Sequence, residues 1–414
     1  VGFQSPGTLA VTGAGSMWTD TGYATSVGYG AEGQMTIADG GRFSSTGSLF
    51  VGSWTGKGTL TVTGANSTVS GNNLYVGSSS EGSVVIGDGG SVSTANTTVG
   101  ENSTGALTVA DGGSFSASQL ALGSVQGSSG VLNIGAPAGS TPTAAGSVSI
   151  GYVSSGDGSA VINFNHTDTA LAFSTELNAK TTLVKNGPGT TIVTATGYSD
   201  YFYYGPLVVN AGTLRLNSSL RYSNATVNAG GTFGGSGTVG RLTINAGGTL
   251  APGNSPGTLT AGNTTFSPGG LYEWQINDAT GTAGTNWDLL SISGTLDLSA
   301  LADADGSRFT LSLVSLTAEN SPGLLANFNP AQSYTFTVAR ATSGLLGFTP
   351  GSFALNTASF QNSATGSWSI GVGNGGHDLT VSYTAPAIPE PSTCAALAGL
   401  AALALALLRR RSRM

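Results

Sequence analysis

The sequence predicts an all-β protein: a right-handed parallel β-helix, or solenoid, closed by a C-terminal antiparallel β cap and followed by a single C-terminal membrane helix. Three observations carry this. A Gly-x-apolar-x-apolar phrase recurs at near-constant intervals through the first part of the chain. Gly is abundant, at 66 of 414 residues, while only 8% of residues are charged. The chain closes on an uncharged stretch followed by clustered arginines.

Composition excludes the rival classes. Amphipathic helices need a charged face and are weakened by interior Gly, so this composition does not suit them. Disordered chains lack apolar residues, whereas this one holds 39% and spaces its Gly between alternating apolar segments. Four of the 13 basic residues lie in the last six positions, leaving nine against 20 acids and a net −11 over residues 1–408. That charge argues against nucleic acid and anionic lipid as partners. One Cys, Cys394, lies in the apolar tail, so no disulfide supports the rest. Val1 is not an initiator and no charged-then-apolar leader precedes Gly7, so a secretory signal and further repeats are expected upstream.

Residues 1–165 read as a β-solenoid of ~25-residue repeats. The phrase begins at Gly7, Gly33, Gly58, Gly82, Gly105 and Gly130, at intervals of 26, 25, 24, 23 and 25 residues. A second register runs in step: Val27-Gly28, Val51-Gly52, Val76-Gly77, Val99-Gly100, Leu122-Gly123 and Ile150-Gly151. Each period thus holds at least two short strands parted by turns such as Asp39-Gly40-Gly41, Asp88-Gly89-Gly90 and Asp111-Gly112-Gly113. No such unit buries its apolar face alone. Stacked about 4.8 Å apart, the coils share one column of inward Leu, Val and Ile, Leu60 among them. Stacked Thr, Ser and Asn tolerate this arrangement where stacked charges repel, which accounts for the scarcity of charge.

Over 166–300 the rhythm shortens. Leu207-Val-Val-Asn-Ala-Gly, Ala225-Thr-Val-Asn-Ala-Gly and Leu242-Thr-Ile-Asn-Ala-Gly read as strand, tight turn, strand, with Asn and Gly supplying the positive φ of the corner. Together with Ala251-Pro-Gly-Asn-Ser-Pro-Gly-Thr-Leu-Thr260, these segments resemble the autotransporter-associated β-strand repeat. The resemblance implies a β-helix stalk and no particular activity. Residues 301–385 break the repeat with longer alternating strands, Phe309–Leu316, Ser333–Arg340 and Asp378–Tyr383. An uncovered last coil is an exposed sheet edge, so this region is expected to be the antiparallel cap.

The tail, 386–414, orders three parts: Pro389-Glu390-Pro391, the uncharged run Ser392–Leu408, and Arg409, Arg410, Arg411 and Arg413. The run is 17 residues, about 25 Å as a helix and at the short end of a bilayer span. The arginines decide the reading, since they anchor a membrane helix on its cytoplasmic side. This order resembles the PEP-CTERM sorting signal of Gram-negative bacteria. The resemblance implies an exosortase as processing partner, transient anchoring in the inner membrane with the C-terminus cytoplasmic, and delivery to the cell surface or extracellular matrix.

Chemistry is sparse. His166 and His377 lie 211 residues apart with no metal-type spacing, and no metal or cofactor is expected. A Ser-His-Asp site around His377-Asp378 lacks a nucleophile elbow. No catalytic residue is expected. The enzymatic alternative is a carbohydrate-active β-helix, a polysaccharide lyase or hydrolase, with Asp88 and Asp111 at one repeat position in successive coils. Asp-Gly-Gly is also what a tight turn selects whatever its function. Tyr201, Tyr203 and Tyr204, in the cluster that includes Tyr198 and Phe202, are the candidate glycan-contacting rings, against a reading in which they pack back on the column. The expected protein is non-enzymatic and exported, acting in adhesion or biofilm and exopolysaccharide association, with polysaccharide or a neighbouring cell surface as partner.

Overall fold

The structure, a computed structural model, describes residues 1–178, 180–197, 203–387 and 391–411. The chain is a parallel β-helix. Its first sheet has 14 strands in chain order, from Gly7–Thr12 through Gly58–Thr63, Thr182–Lys185 and Leu242–Ile244 to Leu345–Leu346. A second sheet stacks Met17–Asp20 to Glu176–Leu177. Where it stops, two further sheets take its place, opening with Leu171–Phe173 and Ser219–Leu220.

Register shows why the phrase repeats. Leu9, Met35, Leu60, Val84, Leu107 and Leu132 lie directly over one another along the first sheet. From Met35 onward that row is at most 1% exposed, and it belongs to a single core running from Val11 to Val381. The Gly that opens each phrase has a separate cause. A Cβ on Gly58, Gly82, Gly105 or Gly130 would overlap the carbonyl oxygen of Val27, Val51, Val76 or Val99 in the coil before it. These corners are closed by backbone approaching backbone, and only Gly leaves the room.

In the shorter repeats the Asn does something other than turn the chain. Asn210, Asn228 and Asn245 are not among the residues with positive φ; that conformation belongs to Gly212, Gly230 and Gly247, at 64°, 86° and 72°. The side-chain amides instead form a ladder along the axis. Asn163 donates to Asn133 (2.9 Å), Asn186 to Asn163 (2.7 Å), Asn210 to Asn186 (2.8 Å), Asn228 to Asn210 (2.7 Å) and Asn245 to Asn228 (2.7 Å). Asn133 continues it to Thr108 Oγ1 at 3.2 Å. Each link contributes about 1 kcal/mol net.

The antiparallel pairing expected over 301–385 is confined to three strands. Tyr334–Ala341 pairs with Asp378–Thr384, which pairs with Ser367–Gly373. Phe309–Ser315 and Phe353–Ser359 add parallel strands to the solenoid, because their apolar residues continue its inward rows, Leu311 over Tyr272 and Phe353 over Phe309. Phe328, Phe360, Trp368 and Tyr383 pack beneath the antiparallel end with centroids 5.0–6.2 Å apart. Arg340 grips Asp378 through Nε (2.9 Å) and Nη2 (2.8 Å), which holds that carboxyl below its usual range.

A helix, Pro391–Arg411, follows. Leu397, Leu400, Leu403, Leu405, Leu407 and Leu408 are 58–66% exposed, so its leucines find no cover in the rest of the chain. Among the described residues no helix is long and apolar enough to cross a membrane. Pro389, Glu390 and Arg413 lie outside the described residues.

Candidate functional site

The repeated carboxylates are turn residues. Asp39, Asp88 and Asp111 have φ of 53°, 50° and 48°, and Asn66 takes the same left-handed place at 64°. Asp88 is tied down twice, accepting from Thr63 Oγ1 at 2.9 Å and donating its N–H to the Asp111 carbonyl at 2.9 Å. Asn and Asp tolerate this conformation better than other side chains, which is the reason for the residue choice. Among the described residues, no three His, Cys, Asp or Glu side chains gather in a way that could hold a metal ion.

Tyr203 corrects the sequence reading. It is 2% exposed, and its hydroxyl donates to the Thr181 carbonyl at 2.7 Å, while burial pushes its pKa up. The ring fills a corner of the core and offers no face to a glycan. Tyr204 is half-exposed, and Tyr201 lies outside the described residues.

A buried polar group sits where the cross-section changes. Lys185 occupies the inward row between Phe164 and Val209, is fully buried, and donates to the Gly187 carbonyl. Burial lowers its pKa to about 8. His166, also fully buried, shares a hydrogen bond with Thr191 Oγ1 at 2.8 Å and lies 3.4 Å from Asp168 Oδ2. Its pKa falls to about 4, first through desolvation and then through the Lys185 charge. The folded state therefore holds this imidazole neutral, and the unfolded chain binds its proton first on acidification. Stability present above pH 6.5 should be lost as pH falls from 6.5 towards 4, by up to about 3 kcal/mol. Urea titrations at pH 7 and pH 4.5 should show the parent losing more stability than His166→Gln. Equal losses would remove His166 as the acid-sensitive group.

Two surface features offer contacts to a partner. One is a groove along the sheet that opens with Leu171–Phe173, where cavities of 220 and 530 Å³ share Ser255, Glu273 and Gln275. Gly234 and Ala251 line its low part between Arg215 and Glu273. The loop phrase noted at 251–260 forms the rim, with Ser255 at φ 82° and Asn254 Nδ2 donating to Asn217 Oδ1 at 3.1 Å. The groove presents hydroxyl, amide and charged groups but only one carboxylate, Glu273. Glycoside hydrolysis ordinarily needs a pair.

The other feature is a stack of rings at one corner of the first coils. Phe3 and Tyr29 lie 5.5 Å apart at 15°, and Tyr29 and Trp54 lie 5.3 Å apart at 39°. All three are exposed, at 66%, 39% and 63%. The signal was present in the sequence as aromatics spaced by 26 and 25 residues, the repeat interval itself. It was hidden because Phe3 and Tyr29 directly follow the corner Gly, whereas Trp54 follows Gly52 by two.

Two comparisons with known proteins bear on the chain. Residues 387–411 match the PEP-CTERM protein-sorting motif. Over 274 residues, 56% of this chain, the sequence is 32% identical to the adhesin BmaC autotransporter of Brucella suis biovar 1 (strain 1330), of whose own length the match spans 8%. The chain therefore carries a PEP-CTERM sorting motif at its C-terminus and is similar to part of an autotransporter adhesin.

Proposed function

We propose that this protein is a non-enzymatic, exported β-helix of a Gram-negative cell surface or extracellular matrix, sorted by an exosortase and acting in adhesion or in exopolysaccharide and biofilm association. The observation that carries the reading is the joining of a sorting motif to an unbroken parallel column. Such a column is stiff along its axis, and its outward rows of Thr, Ser and Asn present many weak polar contacts at low charge. Similarity to an adhesin supports contact rather than catalysis. The exposed leucines of the terminal helix support a transient stay in the inner membrane, with Arg409, Arg410 and Arg411 on the cytoplasmic side.

Replacing Pro389, Glu390 and Pro391 together by Ala should leave uncut protein in the inner membrane and remove it from the surface, read by fractionation and intact mass. Undiminished surface protein of unchanged mass would refute exosortase sorting. Incubating the full chain with a panel of neutral and acidic polysaccharides should give retention by at least one of them and cleavage of none. Bond cleavage abolished by Asp88→Asn and Asp111→Asn would overturn the non-enzymatic reading in favour of a lyase or hydrolase.

A further inference from the structure

The ring stack has a side that the fold does not use. Phe3, Tyr29 and Trp54 face one another along the axis, so the inner faces are consumed within the stack. The next coil brings only Ser78, Ser79 and Ser80 to that corner, between Gly77 and Glu81. Among the described residues no further ring stacks on Trp54, and the indole stays 63% exposed. Its backbone is also an outlier. Trp54 has φ 51°, a left-handed conformation that disfavours bulky side chains and that Gly or Asn would adopt more readily. A strained, exposed indole that adds nothing to the core is better explained by what it contacts than by what it supports.

We propose that the free face of Trp54, the end ring of the stack, is a binding platform for a neutral polysaccharide; this rests on the surface-protein reading above and names its ligand class. An aromatic face carries the negative side of the ring quadrupole and attracts the C–H face of an uncharged sugar ring. The rings are stacked rather than arranged as a cage, so they do not enclose a compact cation as aromatic cages do. Charge disfavours acidic chains. The nearby column of Glu32, Lys57 and Glu81 carries one cation, and Lys57 is already paired with Glu81 at 2.5 Å. Thr55, the next residue, is exposed; its Oγ1 donates to the Gly30 carbonyl at 3.2 Å and keeps its lone pairs for a sugar hydroxyl.

The test uses the purified full chain in mild detergent, with laminarin as the neutral probe and alginate as the acidic one, in affinity electrophoresis and by tryptophan fluorescence. Laminarin should retard the parent and alginate should not. Trp54→Gly should weaken laminarin binding at least tenfold while its melting temperature stays within about 2 °C of the parent, since strain relief offsets the lost stacking. Trp54→Tyr should bind within threefold of the parent. Unchanged laminarin binding in Trp54→Gly would overturn the proposal. So would a large fall in melting temperature for that variant, which would make the stack a structural ladder. A doubled mass in light scattering for the parent alone would assign the face to a second copy and overturn it equally. Surface fractionation of the parent is scored separately, so failure to bind glucan leaves the surface reading standing.

Discussion

Gly105→Ala should be among the most damaging single-methyl additions in this chain, destabilising the surrounding coils by about 3 kcal/mol or more. A Cβ at that position would overlap the Val76 carbonyl oxygen and the Gly100 nitrogen. Both are backbone atoms of a closed corner, so relief demands that strand Thr104–Val109 move away from Thr68–Val76 in the coil before it and from the end of Ser91–Val99. Each is bonded to coils on either side, and the displacement is therefore shared by the ladder rather than absorbed by one rotamer. Gly112→Ala supplies the control. That residue lies at φ 75° with nothing within 4 Å of an added Cβ, so only the left-handed strain remains, about 1 kcal/mol. Urea unfolding should show a clearly lower midpoint for Gly105→Ala than for Gly112→Ala. Because each coil touches only its neighbours, an early separate transition for the first coils is also expected. Equal midpoints would mean that the corner has room that the geometry denies.

What the sequence disclosed was set by what repeats. The inward rows and their stacking were legible from residues 7–135 because alternation of period two and an interval near 25 both survive in the letters. Side-chain roles that depend on a neighbour one coil away were not. In Asn-Ala-Gly, either Asn or Gly suits a left-handed turn, and local propensity cannot choose between them. The choice was made by the amide ladder, which exists only once Asn186, Asn210 and Asn228 are stacked. Lys185 was unreadable for a related reason: its place in the inward row follows from register with Phe164 and Val209, while its residue type argues for the surface. Of the strands named over 301–385, Tyr334–Ala341 and Asp378–Thr384 pair antiparallel as expected, whereas Phe309–Ser315 is parallel; alternation is common to both kinds of pairing, and only the partner strand tells them apart. Of the candidate contact residues, Tyr203 failed because an aromatic cluster reads alike whether it faces out or in.

Leu60→Asp should unzip the first coils outright. Leu60 is fully buried, between Met35 and Val84 in the inward row. Truncation to Ala at such a site costs about 3 kcal/mol through lost burial and the cavity left behind. The carboxylate adds a desolvation penalty of several kcal/mol with no partner in the column, so the total exceeds what a local group of coils can supply. Thr59→Asp places the same charge one residue away, on a half-exposed side chain in register with Gln34 and Ser83, and should be nearly neutral. The alternation thus becomes a measurement: adjacent positions, one substitution, opposite outcomes in thermal unfolding and limited proteolysis. Acid sharpens it further. Burial raises the introduced carboxyl's pKa in the folded state, so the penalty of Leu60→Asp over Leu60→Ala should shrink as pH falls towards 4, where the group enters the core neutral. A Leu60→Asp protein that melts like its parent, or a gap between the two variants that ignores pH, would place Leu60 outside the shared core and undo the register on which the column depends.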